Sequence, residues 1–260
     1  MRCSPRSRAR ARASVRIVSL CPSLTESVFR LGRGAELVGR TKFCVQPAGA
    51  VDAVERIGGT KNPKIDRIVA LAPDLVLMNE EENRREDADA LRAAGLRVVS
   101  SFPRSVADVV GVLGELGSAL DAAPRARELA DAIAARADAI AARAAARPAR
   151  TFVYLIWRDP LMATGAGTYV DALLAVAGGR NVVPAAAGRY PEIDAALLAG
   201  ADRILLSSEP FPFAERHRLE LAAATGLPIE RFALVDGERL SWHGARTLEG
   251  LAYAEEALVG

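Results

Sequence analysis

Two histidines and three cysteines are all the imidazole and thiol ligands this chain offers a metal, and their placement limits the chemistry available to it. His243 stands between Trp242 and Gly244, where a neutral imidazole can ligate a metal centre or hydrogen-bond an amide or carboxylate. His217 lies among Arg216, Arg218 and Glu220 and reads as a surface residue on a polar helix. Two histidines cannot build a multi-histidine site, so hydrogen bonding is the favoured role for His243 and no metal site is expected. Cys3, Cys21 and Cys44 are too few and too irregular for a disulfide framework, and they form no Cys-x-x-Cys pair. Cys21 and Cys44 both close strands on the same side, which would bring them near each other in a cleft, with buried, inert thiols as the default expectation. No nucleophile has an adjacent base and no paired acid and base is legible, which leaves catalysis without apparatus. Gly165-Ala166-Gly167-Thr168 lacks the lysine and glycine spacing of a phosphate loop. Glu80-Glu81-Glu82 before Arg84-Arg85 reads as the solvated start of a helix, with a cleft rim as the alternative.

The elements that must position these residues alternate. Arg16–Leu20, Leu37–Gly39, Asp74–Met78 and Leu96–Val99 read as strands, with helices over Ser23 onward, Ile65–Leu71, Glu86–Ala94 and Ser105–Leu120. Ser23 with Glu26 three residues later has the spacing of a capping box. After residue 148 the pattern restarts, with strands at Thr151–Leu155, Asn181–Val183, Arg203–Leu206 and Phe232–Val235. Helices are expected there at Tyr169–Ala177, Ile193–Leu198 and Thr247–Leu258. Such alternation argues for parallel, doubly wound sheets. Between the halves, Leu129, Ile133, Ala137, Ile140 and Ala144 recur at three- or four-residue spacing within an Ala- and Arg-rich run. One helix over residues 122–147, of roughly 39 Å at about 1.5 Å per residue, would join two lobes as a strut.

The halves echo one another. The stretch from Ile65-Asp66 to Met78 sets without gaps against that from Ile193-Asp194 to Leu206, and each carries a second Asp, Asp74 or Asp202, just before a strand. The expected layout is a disordered basic tail over 1–14, an N-terminal α/β lobe over 15–121, the connecting helix over 122–147 and a C-terminal α/β lobe over 148–260.

Half of the 260 residues are apolar and the net charge is +2, enough for one large core or two modest ones. The near-balanced charge gives no basis for nucleic-acid binding, and no membrane span is legible. The arginines of the first 12 residues alternate with Ala and Ser rather than preceding an apolar core, so no secretory signal is read in the chain as written, which would place it in the cytoplasm.

Arg16-Ile-Val-Ser-Leu-Cys-Pro-Ser23 followed by Thr25-Glu26, and Ile68-Val-Ala-Leu-Ala-Pro-Asp-Leu-Val76, resemble the ABC-importer binding proteins whose lobes are joined by one rigid helix. Leu240-Ser-Trp-His-Gly-Ala-Arg246 and the layout as a whole are most similar to the cobalamin-binding branch. The resemblance covers residues 15–258 and implies an α/β fold of two Rossmann-like lobes on a backbone helix, a periplasmic or surface-anchored location, and a ligand held between the lobes. That ligand, rather than any cofactor, would be cobalamin or another metal chelate such as haem or a ferric siderophore. A tetrapyrrole metal chelatase and a cytosolic corrinoid carrier or sensor are the readings of other classes.

Ligands in open α/β sheets lie outside the carboxyl ends of strands. The loops there carry Cys21, Pro22 and Ser23, then Lys42, Phe43 and Cys44, then Thr60 and Lys61, then Asn79 and Glu80. The second lobe adds Trp157, Arg158, Arg189, Tyr190, Ser208, Glu209, Trp242, His243 and Arg246. Gly58-Gly59-Thr60 stands where the cobalamin branch has one pocket tryptophan and Tyr190 where it has another, which implies a more polar pocket. The resemblance further implies a monomer that meets an ABC permease dimer through one carboxylate per lobe, at Asp66 and Asp194. Their alternative role is as helix N-caps.

Overall fold

The computed structural model describes residues 15–259, so the basic run over 1–14 lies outside the described residues. Five short strands build the first sheet: β1 (Ile17–Ser19), β2 (Leu37–Arg40), β3 (Glu55–Arg56), β4 (Leu75–Asn79) and β5 (Val98–Ser101). They lie in the order β3-β2-β1-β4-β5, all parallel, with Ile17 opposite Leu75. Because side chains alternate along a strand, Ile17, Leu75 and Leu77 pack on one face and Val18, Val76 and Met78 on the other. Helix α1 (Pro22–Arg30) covers the first face, while α2 (Ile65–Ala70) and α3 (Arg85–Ala93) cover the second through Ile68 and Leu91. Near-continuous burial of these strands is what a sheet covered on both faces requires.

Helix α4 (Val106–Ala119), with Ser105 as its N-cap, leads into α5 (Ala123–Ala145). Asp121 makes the reversal in the left-handed region at φ 50°, a conformation aspartate tolerates. The two helices cross closely at Gly117, where an added Cβ would come within 2.4 Å of the Ala126 methyl. Helix α5 is one unbroken rod of 23 residues, about 35 Å at 1.5 Å per residue. Its Ala126 belongs to the first lobe's core, and Ala130, Ile133 and Ile140 belong to the second lobe's. Helix α4 bridges in the same way, with Val112 and Leu116 on one side and Val109 and Leu113 on the other.

The second lobe is built from β6 (Arg150–Trp157), β7 (Met162–Ala163), β8 (Gly179–Asn181), β9 (Arg203–Ser207) and β10 (Phe232–Val235). Strand β6 is central: β9 and then β10 lie on one side, and β7 and β8 share the other. Helices α6 (Tyr169–Val176), α7 (Glu215–Thr225), α8 (Gly237–Ser241) and α9 (Thr247–Val259) complete it.

Several expectations change. The second sheet is mixed rather than parallel, because β7 turns back tightly and pairs antiparallel with β6. Helix α1 begins at Pro22 with Cys21 at the N-cap, since proline suits the first helical position, so Ser23 is not the cap. Residues 195–200 form a 3-10 helix rather than an α-helix. His217 is buried, not on the surface: its Nδ1 accepts the Ala214 N–H at 3.0 Å, and its ring packs against Phe211 and Phe213. Burial, then the neighbouring Arg216, lowers its pKa.

Candidate functional site

The carboxyl ends of the strands in both lobes face a shared cleft of about 660 Å³. From the first lobe it is lined by Cys21, Pro22 and Ser23 after β1, Lys42, Phe43 and Val45 after β2, Thr60, and Asn79, Glu81 and Glu82 at the end of β4. From the second come Tyr154 and Ile156 on β6, Thr164, Tyr169, Val170, Tyr190, Glu209 and Pro210 after β9, and Glu238, Ser241, Trp242 and His243 after β10.

Of the residues expected at the site, the fold brings together Cys21, Pro22, Ser23, Lys42, Phe43, Thr60, Asn79, Tyr190, Glu209, Trp242 and His243. Cys44 does not line the cleft; it is fully buried behind it, its thiol against Thr41 Oγ1 at 3.2 Å. Lys61 turns outward and donates to the Glu81 carbonyl. Glu80 faces a separate depression with Arg84 and Arg92. Trp157 and Arg158 lie outside with Phe211, because β6 runs to Trp157 and carries them past the cleft. Ser208 is also outside and accepts the Gly237 N–H through its hydroxyl. Arg189 and Arg246 stand behind the wall, each paired with a carboxylate.

The floor is fixed by a contact between lobes. Gly244, at φ 87°, lets the loop after α8 lie against α1, where an added Cβ would be 2.4 Å from Ser27 Oγ. Ser27 Oγ accepts the Ala245 N–H at 3.0 Å, and Arg246 pairs with the buried Glu26 at 2.6 Å. This anchoring carries His243 of the second lobe onto the first, with Nε2 at 3.1 Å from Asn79 Nδ2 and 3.3 Å from Ser23 Oγ. Asn79 Oδ1 already accepts the N–H groups of Glu81 and Glu82, so its amide nitrogen points at the imidazole. Nε2 is therefore the acceptor and Nδ1 carries the proton. Burial lowers the His243 pKa to about 4, so the ring is neutral at pH 7. Among the described residues its buried Nδ1 has no hydrogen-bond partner, and neither does the Thr164 hydroxyl. Ser23 and His243 resemble a nucleophile and its base, but the amide donation from Asn79 occupies the nitrogen that would take the proton.

Two aromatic residues offer open faces. Phe43 is 50% exposed and Tyr190 43%, one from each lobe. Trp242 is only 7% exposed; its ring lies under the Arg246 guanidinium at 5.0 Å, and Nε1 donates to Glu209 at 2.8 Å. Its part is to hold Glu209 rather than to offer area.

Carboxylates dominate the polar lining. Glu81 is compensated by Arg189 at 2.6 Å and by the Tyr190 hydroxyl, which together close a clasp between lobes. Glu82 makes no hydrogen bond or ion pair through its carboxylate among the described residues. It is reached by solvent through the cleft, yet shielding by the surrounding protein raises its carboxyl above the ordinary value; Lys61 opposes this and Glu81 adds to it. Glu209 is raised likewise, by burial first, against the hydrogen bonds from Ser241 and Trp242 and with repulsion from Glu238 and from Glu82. Against them the lining holds one cation among the described residues, Lys42, whose Nζ rests over the Phe43 ring at 4.9 Å. The charge run at Glu80–Glu82 is thus a cleft rim at Glu81 and Glu82, not solely a solvated helix start. Tyr154 and Tyr169 escaped sequence reasoning because one is a mid-strand residue and the other opens a helix.

A model of the family described as "Periplasmic binding protein" matches residues 17–205. The chain belongs to that family. Among curated relatives, the vitamin B12-binding protein of Yersinia pestis (strain Pestoides F) is 26% identical over 184 residues. The match covers 70% of this chain and 65% of that protein's length. Among solved structures, the periplasmic heme-binding protein RhuT from Roseiflexus sp. RS-1 aligns with a TM-score of 0.81 at 25% identity, over 95% of this chain and 100% of that one. The periplasmic vitamin B12 binding protein BtuF of Vibrio cholerae aligns at 0.77 and 19%, over 94% and 96%. The fold of two α/β lobes on a backbone helix is common ground. No helix among the described residues is long and apolar enough to cross a membrane.

Proposed function

We propose that this protein captures a cobalamin-like corrinoid in the interlobe cleft and hands it to an ABC importer. The observation that carries this is the pair of half-exposed rings, Phe43 and Tyr190, set on opposite lobes of a cleft whose floor is Ser23, Asn79 and His243. Flat apolar faces cover a macrocycle without ordering a flexible side chain. The similarity to the Yersinia vitamin B12-binding protein supports a corrinoid. The geometry at Ser23 and His243 supports binding rather than catalysis.

Haem is the second reading, favoured by the 25% identity to RhuT. Titration of the purified protein with cyanocobalamin, dicyanocobinamide and haemin, followed by tryptophan fluorescence and calorimetry, tests both. Saturable binding of either corrinoid supports the first reading. Binding of haemin alone replaces it with the second, and binding of none rejects the cleft as a chelate site.

Delivery would use Asp66 and Asp194, both exposed. Asp66 sits in the first turn of α2, whose N-cap is Lys64; Asp194 caps its 3-10 helix by accepting the Ala196 N–H at 2.7 Å. One carboxylate per lobe gives a permease dimer two matching points of orientation, each worth about 0–1 kcal/mol.

A further inference from the structure

We infer that the cleft selects chelates by the charge at the macrocycle's rim, admitting those whose peripheral groups are amides and rejecting those whose peripheral groups are carboxylates, with Glu82 and Glu209 as the discriminating pair. This rests on the reading of the cleft as a macrocyclic chelate site and adds to it the class of side chain that the site accepts.

The two carboxylates belong to opposite lobes, Glu82 after β4 and Glu209 after β9; both line the cleft, and the charge of Glu82 bears on Glu209. Neither carboxylate is neutralised by an ion pair among the described residues. The Glu209 carboxylate takes hydrogen bonds from the neutral Ser241 hydroxyl, at 2.6 Å, and the Trp242 N–H, at 2.8 Å, both on Oε1. The arginines near the cleft are committed elsewhere: Arg189 to Glu81, and Arg246 to Glu26 and Glu238. Among the described residues Lys42 is the one cationic side chain of the lining. A ligand carboxylate entering this cleft faces like charges in a shielded setting, where such juxtaposition is costly.

The unpartnered groups point to the same chemistry. His243 and Thr164 both line the cleft, and the His243 Nδ1–H and the Thr164 hydroxyl, themselves buried, lack partners among the described residues. A primary amide supplies an N–H₂ donor for Glu82 and Glu209 and a carbonyl acceptor for such donors. A carboxylate supplies acceptors only. It can satisfy the imidazole but repels both glutamates.

The test compares dicyanocobinamide, with amides at its rim, against dicyanocobyrinic acid, which carries carboxylates on the same corrin. Calorimetry is run on the wild type, Glu82→Gln, Glu209→Gln and the double variant, each checked for a native melting transition. The wild type is expected to bind the amide form at least about tenfold more tightly. The double variant is expected to gain about tenfold or more for the acid form, narrowing that ratio. In the wild type alone, raising the salt from low to high should narrow it as well, because screening weakens repulsion. Equal or tighter wild-type binding of the acid form overturns the inference while leaving corrinoid capture standing, as does a ratio unmoved by both the substitutions and salt. Binding of neither compound overturns both.

Discussion

Asp74 and Asp202 do the same work in the two lobes: each accepts a hydrogen bond from a backbone N–H at the start of its lobe's central strand, Arg16 at 2.8 Å and Thr151 at 2.9 Å. The echo between Ile65–Met78 and Ile193–Leu206 is therefore a repeated device. In each lobe a helix or 3-10 turn ends, an aspartate ties the returning chain to the first strand, and the next strand pairs parallel with it. Strand ends fixed in this way set where the cleft loops begin.

Loss of the Asp202 tie should be measurable. Thr151 Oγ1 also donates to it, at 2.8 Å, and these bonds, the backbone one first, hold its carboxyl below the ordinary value. Asp202→Asn is expected to lower stability by about 1 kcal/mol at pH 7, a modest figure because the group is exposed. A carboxyl whose folded pKa is depressed contributes stability that is present above the unfolded value of about 3.9 and lost as pH falls through the lower folded one. Urea midpoints of wild type and variant should therefore separate at pH 7 and converge below about pH 3. A gap of unchanged size at pH 2.5 would place the loss elsewhere.

The open ring faces should matter more than the tryptophans. Phe43→Ala and Tyr190→Ala are each expected to weaken corrinoid binding by about tenfold or more, since half-covering a large ring is worth roughly 2 kcal/mol. Trp157→Phe should leave affinity unchanged, because that residue lies outside the cleft beside Phe211. The chain has two tryptophans, so Trp157→Phe also makes Trp242 the sole indole reporter. Equal losses at Phe43 and Trp157 would contradict this geometry.

Much of this arrangement was legible in residue types, and what was not has physical reasons. The strut was expected over 122–147 and runs from Ala123 to Ala145. Ile133, Ile140 and Ala144 face inward as spaced, but Ala126 and Ala130 are buried where Leu129 and Ala137 are only partly so. Close packing at Gly117 selects methyl groups, which carry little hydrophobic signal. Loop residues directly after strands, such as Ser23 and Phe43, were found by topology alone. Cys44, Lys61 and Ser208 lie one residue further on than the neighbours that do line the cleft or beside them, and the direction of a side chain there depends on turn geometry that residue types leave open. Glu82 was missed because an acidic run ordinarily marks a solvated surface.

Trp242 should set the pH range of binding. Its N–H stabilises the charged form of Glu209, opposing the burial that raises that carboxyl. Affinity that needs ionised Glu209 falls as pH drops through the raised pKa. Trp242→Phe removes the donor, raises the pKa further and should move the fall in affinity to higher pH. Dissociation constants for dicyanocobinamide measured from pH 4.5 to 8 would display the shift. Superimposable profiles would mean that Glu209 carries no charge relevant to the ligand.

Gly244 should be intolerant of a side chain. A methyl there meets Ser27 Oγ at 2.4 Å and forces a left-handed conformation on alanine. Gly244→Ala is expected to destabilise the protein by about 1–3 kcal/mol. It should also weaken ligand binding, because His243 and the Arg246–Glu26 pair are held by the same loop. A melting temperature within a degree of wild type would show that the loop has room the packing does not provide.

The contact between α1 and the 242–246 loop, the Glu81–Arg189 clasp, and the α4 and α5 helices that share both cores are among the ties between the lobes. Hinge closure needs a few residues that absorb large backbone changes, and here the connection is a helix whose backbone is already hydrogen-bonded throughout. Solution scattering is expected to give the same radius of gyration, within about 0.5 Å, with and without saturating dicyanocobinamide. Transfer to a permease would then depend on forces applied from outside at exposed carboxylates. Asp66→Lys with Asp194→Lys should abolish uptake in cells supplied with the cognate importer while leaving the dissociation constant within about twofold. Uptake that survives the double reversal would remove these two residues from the docking surface.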